Sequence, residues 1–214
     1  DQALTEPWDF DNDHISGDDP VIYIDYALVK VSDSTGTKLD DYKTLNAAVD
    51  AYQNRTDALL FELYGDITIT EAEGSVNFYD NQNITITTAN SYEGPEGSKT
   101  ASIYRDYENA FGQNLLNIET ATTLTLDNVN MDGNYHSDSN DTNAWDCYSL
   151  ICLKNSNAVL NLGKSGQQAN LYPAIKNNKA SVNQYGAITV IGTNGNEGGT
   201  VNMYSGVVTD NVSE

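Results

Sequence analysis

The sequence predicts an all-β fold, a parallel β-helix solenoid with three short strands per coil. Between Leu115 and Asn211, a short apolar-polar-apolar pattern recurs at intervals of 35 to 41 residues. Each repeat contains three such patterns, and the turns between them are rich in Gly, Asn and Asp. Very short alternating strands at a wide and regular spacing, with no room for a helix between them, are typical of solenoids.

The repeats align in three columns. The first pattern starts at Leu116, Ile151 and Ile188, the second starts at Leu124, Leu160 and Val201, and the third occupies 129–134, 175–178 and 208–211. Alternation puts the flanking apolar residues on one face of each strand and the middle residue on the other. We expect the apolar faces to point inward, and the coils to stack about 4.8 Å apart so that each covers its neighbours. The expected outward residues are Asn117, Cys152, Thr189, Thr125, Asn161, Asn202, Asn130, Lys176 and Thr209.

The period changes ahead of the first coil. Apolar residues fall at helical spacing within residues 41–53, at Leu45, Ala48, Val49 and Tyr52. Asp40 or Asp41 is the expected N-cap. This pattern predicts an N-terminal capping helix that covers the end of the solenoid. We therefore expect an acidic leader with N-terminal strand(s) over residues 1–40 and a β-helix over 41–214, with a further coil to follow Glu214.

Several turn sequences resemble those of a known group. Asp127-Asn128-Val129-Asn130-Met131-Asp132-Gly133-Asn134, together with the turns at 177–181 and 210–213, resembles right-handed parallel β-helix domains of the pectate-lyase-like superfold. The likeness is greatest to domains in large surface proteins of Gram-positive, often gut-dwelling, bacteria, and it covers roughly residues 42–214. It implies a right-handed coil and an extracellular place at the cell surface or cell wall. That superfold hosts lyases, hydrolases, adhesins and stalks, so the resemblance does not choose a function.

Charge limits the possible partners. The formal net charge is −21, the pI is about 4.1 and the mean hydropathy is −0.49. Such a surface repels nucleic acid phosphates and anionic lipids, so neither nucleic acid binding nor membrane insertion is expected. No run of 18 apolar residues occurs. We expect a monomer.

Two groups of residues raise the question of metal and thiol chemistry. Asp9, Asp11 and Asp13 alternate in an acidic stretch, which is one way to converge oxygen ligands on Ca²⁺. The twelfth position of that loop is Pro20 rather than Glu, so an acidic leader without metal is the other interpretation. Cys147 and Cys152 lie five residues apart, and two free thiols are favoured over a disulfide.

Binding is expected in the loops that leave the coil. The loop at 135–146 carries Asp138, Asp141 and Trp145, and this Trp could either stack on a sugar ring or cover the solenoid wall. Eight of the nine expected outward residues are uncharged, so no catalytic residue is assigned. Arg105, next to Asp106 and Glu108, is expected to form a structural salt bridge.

The expected function is a non-catalytic bacterial cell-surface module, an adhesin or stalk segment. It would present a binding surface for a host or plant glycan or for a surface protein. The alternative is a carbohydrate-active enzyme, a polysaccharide lyase or glycoside hydrolase with its site in the irregular 60–146 region. Ice binding is a third interpretation, suggested by the outward threonines Thr68, Thr70, Thr85 and Thr87.

Overall fold

The structure, a computed structural model, describes residues 27–70, 72–79, 81–106, 113–134, 148–166, 172–180, 186–192 and 198–213. Over these residues the protein is mostly β and its sheets are largely parallel, which agrees with the predicted all-β class. No helix in this part of the chain is long and apolar enough to cross a membrane.

The first elements form an antiparallel unit with one helix. They are β1 (Val29–Asp33), β2 (Lys38–Tyr42) and α1 (Leu45–Ala51), and β1 pairs antiparallel with β2. The helix begins after Thr44, whose hydroxyl accepts a hydrogen bond from the Ala47 N–H at 3.2 Å. The prediction of Asp40 or Asp41 as the N-cap is therefore wrong, because both residues lie in β2 and pair with β1.

Three parallel sheets follow. Sheet A is antiparallel at β1 and otherwise parallel, in the order β16-β12-β9-β6-β3-β1-β2. Its further strands are β3 (Ala58–Leu63), β6 (Asn83–Thr88), β9 (Thr123–Asp127), β12 (Val159–Leu162) and β16 (Thr200–Met203). Sheet B runs β17-β13-β10-β7-β4, with β4 (Ile67–Ile69), β7 (Ser102–Arg105), β10 (Asn130–Asp132), β13 (Ala174–Lys176) and β17 (Val207–Thr209).

Sheet C has the order β15-β11-β8-β5, with β5 (Val76–Phe78), β8 (Leu116–Ile118), β11 (Ile151–Leu153) and β15 (Ile188–Val190). A short pair joins β14 (Lys179–Ala180) to β18 (Val212–Ser213), and a 3₁₀ turn spans Pro95–Gly97. From β3 onward the chain enters sheets A, B and C in that order and repeats the cycle, with the short β14 following β13 and the short β18 following β17. Strands far apart in sequence thus become neighbours.

The strand register confirms two of the three predicted columns. Leu116, Ile151 and Ile188 are directly paired across sheet C, and Leu124, Leu160 and Val201 are paired across sheet A. In the third column, the predicted alignment of Ile175 with Val208 is confirmed, and only the first member is wrong, because it lies two residues further along the chain than predicted.

In sheet B, Met131 pairs with Ile175, so Asp132 rather than Asn130 lies beside Lys176. The sequence has two apolar residues to choose between here, Val129 and Met131, and Val129 lies in the turn before β10. Two of the outward positions, Asp132 and Lys176, are therefore charged, where the sequence predicts only Lys176.

The interior is formed by the alternate apolar residues of the strands. Phe61, Phe78 and Ile103 are among the fully buried side chains. Helix α1 adds Leu45, Ala48 and Val49 to this core. Gln82, at the turn before β6, donates from its side-chain amide to the carbonyls of Val49 and Tyr52 at 3.2 and 3.1 Å. This contact joins the end of the helix to the start of a sheet A strand.

Candidate binding surface

Most of the site residues predicted from the sequence lie outside the described residues. This applies to the expected metal ligands, the expected loop ligands and one cysteine: Asp9, Asp11, Asp13, Asp138, Asp141, Trp145 and Cys147. Their roles stay predictions. The described residues offer a different candidate surface, on the strands themselves.

A row of polar side chains crosses the outer face of sheet B. We name it the sheet B row: Thr68, Tyr104, Asp132, Lys176 and Thr209, each paired with the next in the register. The residues that alternate with the row, Ile103, Met131 and Ile175, are fully buried, so the row faces away from the interior. Its ends are exposed and its middle is partly covered.

Asp132, in the middle of the row, is held in place by three donors. One carboxylate oxygen, Oδ1, accepts from the backbone N–H of Asn134 at 2.8 Å and from Asn177 Nδ2 at 3.0 Å. The other, Oδ2, forms an ion pair with Lys176 Nζ at 3.2 Å. With three donors and only 5% exposure, this carboxylate holds the strand and the following turn together. Its acceptor capacity is already engaged, which disfavours it as a general base.

Sheet A carries a neutral polar row. Asn202 Nδ2 donates to Asn161 Oδ1 at 3.0 Å, and Asn161 Nδ2 donates to Thr125 Oγ1 at 3.1 Å. These three residues are aligned by the register of β9, β12 and β16. The amides and the hydroxyl thus satisfy one another along the stack, a use of Asn that stabilises repeated strands.

The outward side chains of sheet C form a third row, and they are more buried than the sequence predicts. Asn117 Nδ2 donates to Asn77 Oδ1 at 2.8 Å, and Cys152 lies between Asn117 and Thr189 in the register. Cys152 is thus in the predicted outward row, yet its free thiol is fully buried. Burial raises the pKa of the Cys152 thiol, and the nearby Lys154 only partly opposes this.

Cys152 is therefore expected to resist alkylation in the folded protein. At pH 8, iodoacetamide should leave Cys152 unmodified, because the reactive thiolate is rare and shielded from solvent. Peptide mass spectrometry of the treated protein measures this, and the same treatment in denaturant supplies the control. Full modification of Cys152 under native conditions, at the rate seen in denaturant, would contradict the buried position.

Arg105, for which the sequence predicts a structural salt bridge with Asp106 or Glu108, is buried inside the protein. That salt bridge stays a prediction. Arg105 is the largest fully buried side chain in the described residues. Its Nη1 donates to Asn178 Oδ1 at 2.7 Å, and its Nη2 donates to the backbone carbonyls of Tyr148 and Ser149, both at 3.1 Å. Arg105 therefore ties β7 to the turn after β13 and to the segment that enters β11. Glu108 lies outside the described residues.

Comparison of the chain with protein-family models, curated proteins and solved structures found no match. In the described part of the chain, no group of three or more His, Cys, Asp or Glu side chains is placed to hold a metal ion. A function has to be argued from the rows of side chains on the sheets.

Proposed function

We propose that the chain is a right-handed parallel β-helix and serves as a non-catalytic module of a bacterial cell-surface protein. On this proposal, sheets A, B and C are three faces of one coil. Its support is the repeated order in which the chain enters the three sheets, together with the one-to-one parallel register between successive strands. Parallel strands joined by crossovers are right-handed in nearly all proteins.

Helix α1 acts as the cap of this coil. It buries Leu45, Ala48 and Val49, and it follows directly after the antiparallel β1 and β2 that close one edge of sheet A. The hydrogen bonds from Gln82 to the helix carbonyls fix its C-terminal end. A solenoid needs such a cap because its terminal coil otherwise exposes apolar side chains.

The sheet B row is the binding surface, and its ligand is a neutral glycan. Tyr104 offers an aromatic ring and a hydroxyl next to Asp132, in an outward position between Thr68 and Asp132. Aromatic rings stack on the apolar face of a sugar, and flanking hydroxyls and amides bind its hydroxyl groups. This placement of Tyr104 is the observation that carries the proposal. A formal charge of −21 disfavours polyanionic ligands.

The row is also rigid before any ligand arrives. The three donors on Asp132 hold Lys176, Asn177 and Asn134 in place. Because little side-chain entropy is then lost on binding, even a small surface can bind with useful affinity. The same engagement of Asp132 favours binding over catalysis, since a glycosidase needs two carboxyl groups free to exchange protons or to attack.

Tyr104→Ala is expected to weaken glycan binding by about tenfold or more, because a stacking ring is the kind of anchor that dominates small interfaces. The experiment screens a glycan array with and without Ca²⁺, and then measures the best neutral glycan by calorimetry. Tyr64→Ala is the matched control, since Tyr64 is an exposed tyrosine in the turn after β3 and outside the row. Its affinity should equal that of the unaltered chain.

Four results would count against the proposal. Equal losses in both tyrosine variants, or none in Tyr104→Ala, would remove the sheet B row as the binding surface. Release of shortened glycan products during the incubation would favour the alternative, a lyase or hydrolase on the same scaffold. Binding that depends on Ca²⁺ but not on Tyr104 would point instead to the acidic residues predicted from the sequence, Asp9, Asp11 and Asp13.

A further inference from the structure

A pocket lies on the outer face of sheet A, where β1 is flanked by β2 and β3. It has a volume of about 330 Å³, and it is lined, among the described residues, by Ala27, Lys30, Lys38, Asp41 and Tyr64. Lys30 pairs with Asp41 of β2 on one side and with Glu62 of β3 on the other. Its neighbours Val29 and Val31 are fully buried, so Lys30 faces away from the core. Ligand pockets range from about 300 to 1,000 Å³, so this space suits a small molecule rather than a polymer.

A β-bulge brings Lys38 onto the same face as Lys30. Lys30 pairs with Asp41, and two residues further along β1, Ser32 pairs with Lys38. Three steps along β2 thus match two steps along β1, so one residue of β2 is extra. In a regular strand, side chains three positions apart point to opposite faces. The extra residue puts Lys38 and Asp41 on one face, where they form an ion pair. Bulges that re-aim a side chain in this way are over-represented next to active sites.

The pocket combines both signs of charge. Lys30 Nζ forms an ion pair with Glu62 Oε2 at 3.0 Å, and Lys38 Nζ forms one with Asp41 Oδ2. An ammonium group has three donors and a carboxylate has two oxygens, so a single ion pair does not use the full capacity of either group. The Glu62 carboxylate raises the pKa of Lys30, and Tyr64 adds to this effect, so the Lys30 ammonium stays charged at neutral pH. Solvent-exposed ion pairs contribute little to stability, so a ligand can share their partners at little cost.

A ligand that carries both charges fits this arrangement best. A simple anion is repelled by the net charge of −21, and it competes with two carboxylates for the lysines. A simple cation is attracted by the net charge, but in the pocket it meets the ammonium groups of Lys30 and Lys38. A zwitterion adds no net charge and has a partner for each of its groups. The 43% exposed ring of Tyr64, directly after β3, offers an apolar contact to the rest of the molecule.

We propose that this pocket binds a free α-amino acid with an apolar side chain. The carboxylate of the amino acid accepts from Lys30 and Lys38. Its ammonium donates to the oxygens of Asp41 and Glu62 that the two ion pairs do not use, and its side chain packs on the ring of Tyr64. The site is independent of the sheet B row. A neutral glycan lacks both charges, so Tyr64→Ala remains a valid control for glycan binding.

An NMR titration of the isotope-labelled 214-residue chain with L-phenylalanine tests the proposal. A ligand of this size should bind with a dissociation constant of about 1 mM or lower, and the shifts should centre on β1, β2 and β3. Hydrocinnamate lacks the ammonium group of phenylalanine, and phenethylamine lacks its carboxylate. Each analogue should bind about tenfold more weakly or worse, because charged groups of the pocket then lose their partner.

Two variants test the residues of the pocket. Lys38→Met and Asp41→Asn each remove one charge from an exposed position, and each should raise the dissociation constant of L-phenylalanine by about tenfold. Lys99→Met is the matched control, because Lys99 is an exposed lysine that pairs with Glu93 and does not line the pocket. Tyr104→Ala should also keep its affinity for L-phenylalanine, so a failure of this proposal is distinct from a failure of the sheet B row as a glycan surface.

Far-UV circular dichroism checks that each variant is folded. Binding that needs both charges of the ligand, and that is weakened in Lys38→Met and Asp41→Asn but not in Lys99→Met, would establish the site. The absence of saturable shifts at millimolar L-phenylalanine would overturn the proposal, and so would equal affinity for either analogue. These ligand comparisons use the unaltered chain, so they hold even where a variant does not fold. Unchanged affinity in both folded pocket variants would place the binding elsewhere.

Discussion

Replacing Arg105 with alanine is expected to lower the free energy of unfolding by about 3–5 kcal/mol, the usual cost of removing one member of a buried polar cluster. The guanidinium donates to Asn178 Oδ1 and to the carbonyls of Tyr148 and Ser149 inside the protein. Its removal leaves these buried acceptors without a donor and also creates a cavity. Urea denaturation followed by circular dichroism measures the change.

Arg55→Ala is the matched control for Arg105→Ala. Arg55 lies on the surface, where its guanidinium forms an ion pair with Asp57 and sits over the ring of Tyr52. Exposed ion pairs contribute little, so the urea midpoint should not move measurably. The urea midpoint of Arg105→Lys should lie between those of the two alanine variants. The lysine ammonium keeps the charge, but it cannot donate to three acceptors at once as the planar guanidinium does. Equal midpoints for Arg105→Ala and Arg55→Ala would show that the buried cluster adds no stability.

Arg105 illustrates what the sequence could not reveal. Locally, Arg105 is followed by Asp106, and that neighbourhood predicts a structural salt bridge. Its observed partners, Asn178 and the carbonyls of Tyr148 and Ser149, are 43 to 73 residues away in the chain. Only the return of the chain to the same place in later repeats brings them together. Alternation could have given a signal, because Arg105 follows the buried Ile103 at a spacing of two.

The repeat itself was predictable because hydrophobic side chains alone determine it. Leu116, Ile151 and Ile188 could be aligned from their pattern, and they pair as expected. The prediction for the third column was wrong only at its first member, where two apolar residues, Val129 and Met131, could each occupy the inward position that pairs with Ile175. A register choice of this kind depends on which residue begins the strand, and turn geometry decides that. Asn128, at the turn before β10, has a φ of 52°, a backbone conformation that Asn tolerates and that fixes where the strand starts.

The candidate surface was harder to predict than the fold. The sequence predicts binding residues in the loops, since loops usually carry them. That rule selects Trp145, which lies outside the described residues and whose role stays a prediction, and it does not select Tyr104, which occupies an ordinary outward strand position. The significance of Tyr104 depends on its neighbours Asp132 and Thr68, and the register of sheet B supplies them. A two-residue error in that register hid the ion pair between Asp132 and Lys176.

The second large effect is expected at Leu162, in a comparison that tests whether the strands share one interior. Leu162 and Met203 are direct partners in sheet A, but Leu162 is 1% exposed and Met203 is 54% exposed. Leu162→Ala should cost about 2–5 kcal/mol of unfolding free energy, through lost transfer energy and a cavity between Leu126 and Met203. Met203→Ala removes a side chain of similar size, and it should change the free energy of unfolding by less than about 1 kcal/mol.

Both variants should be unfolded with urea at the same low protein concentration, so that association between chains adds nothing to stability. The difference between them then reports burial alone, because the residues occupy the same column of the same sheet. A Met203→Ala effect as large as that of Leu162→Ala would mean that the last strand is covered even in the single chain. Small effects for both would contradict a common core. A large effect confined to Leu162 supports a stack in which each strand is stabilised by the one that follows it.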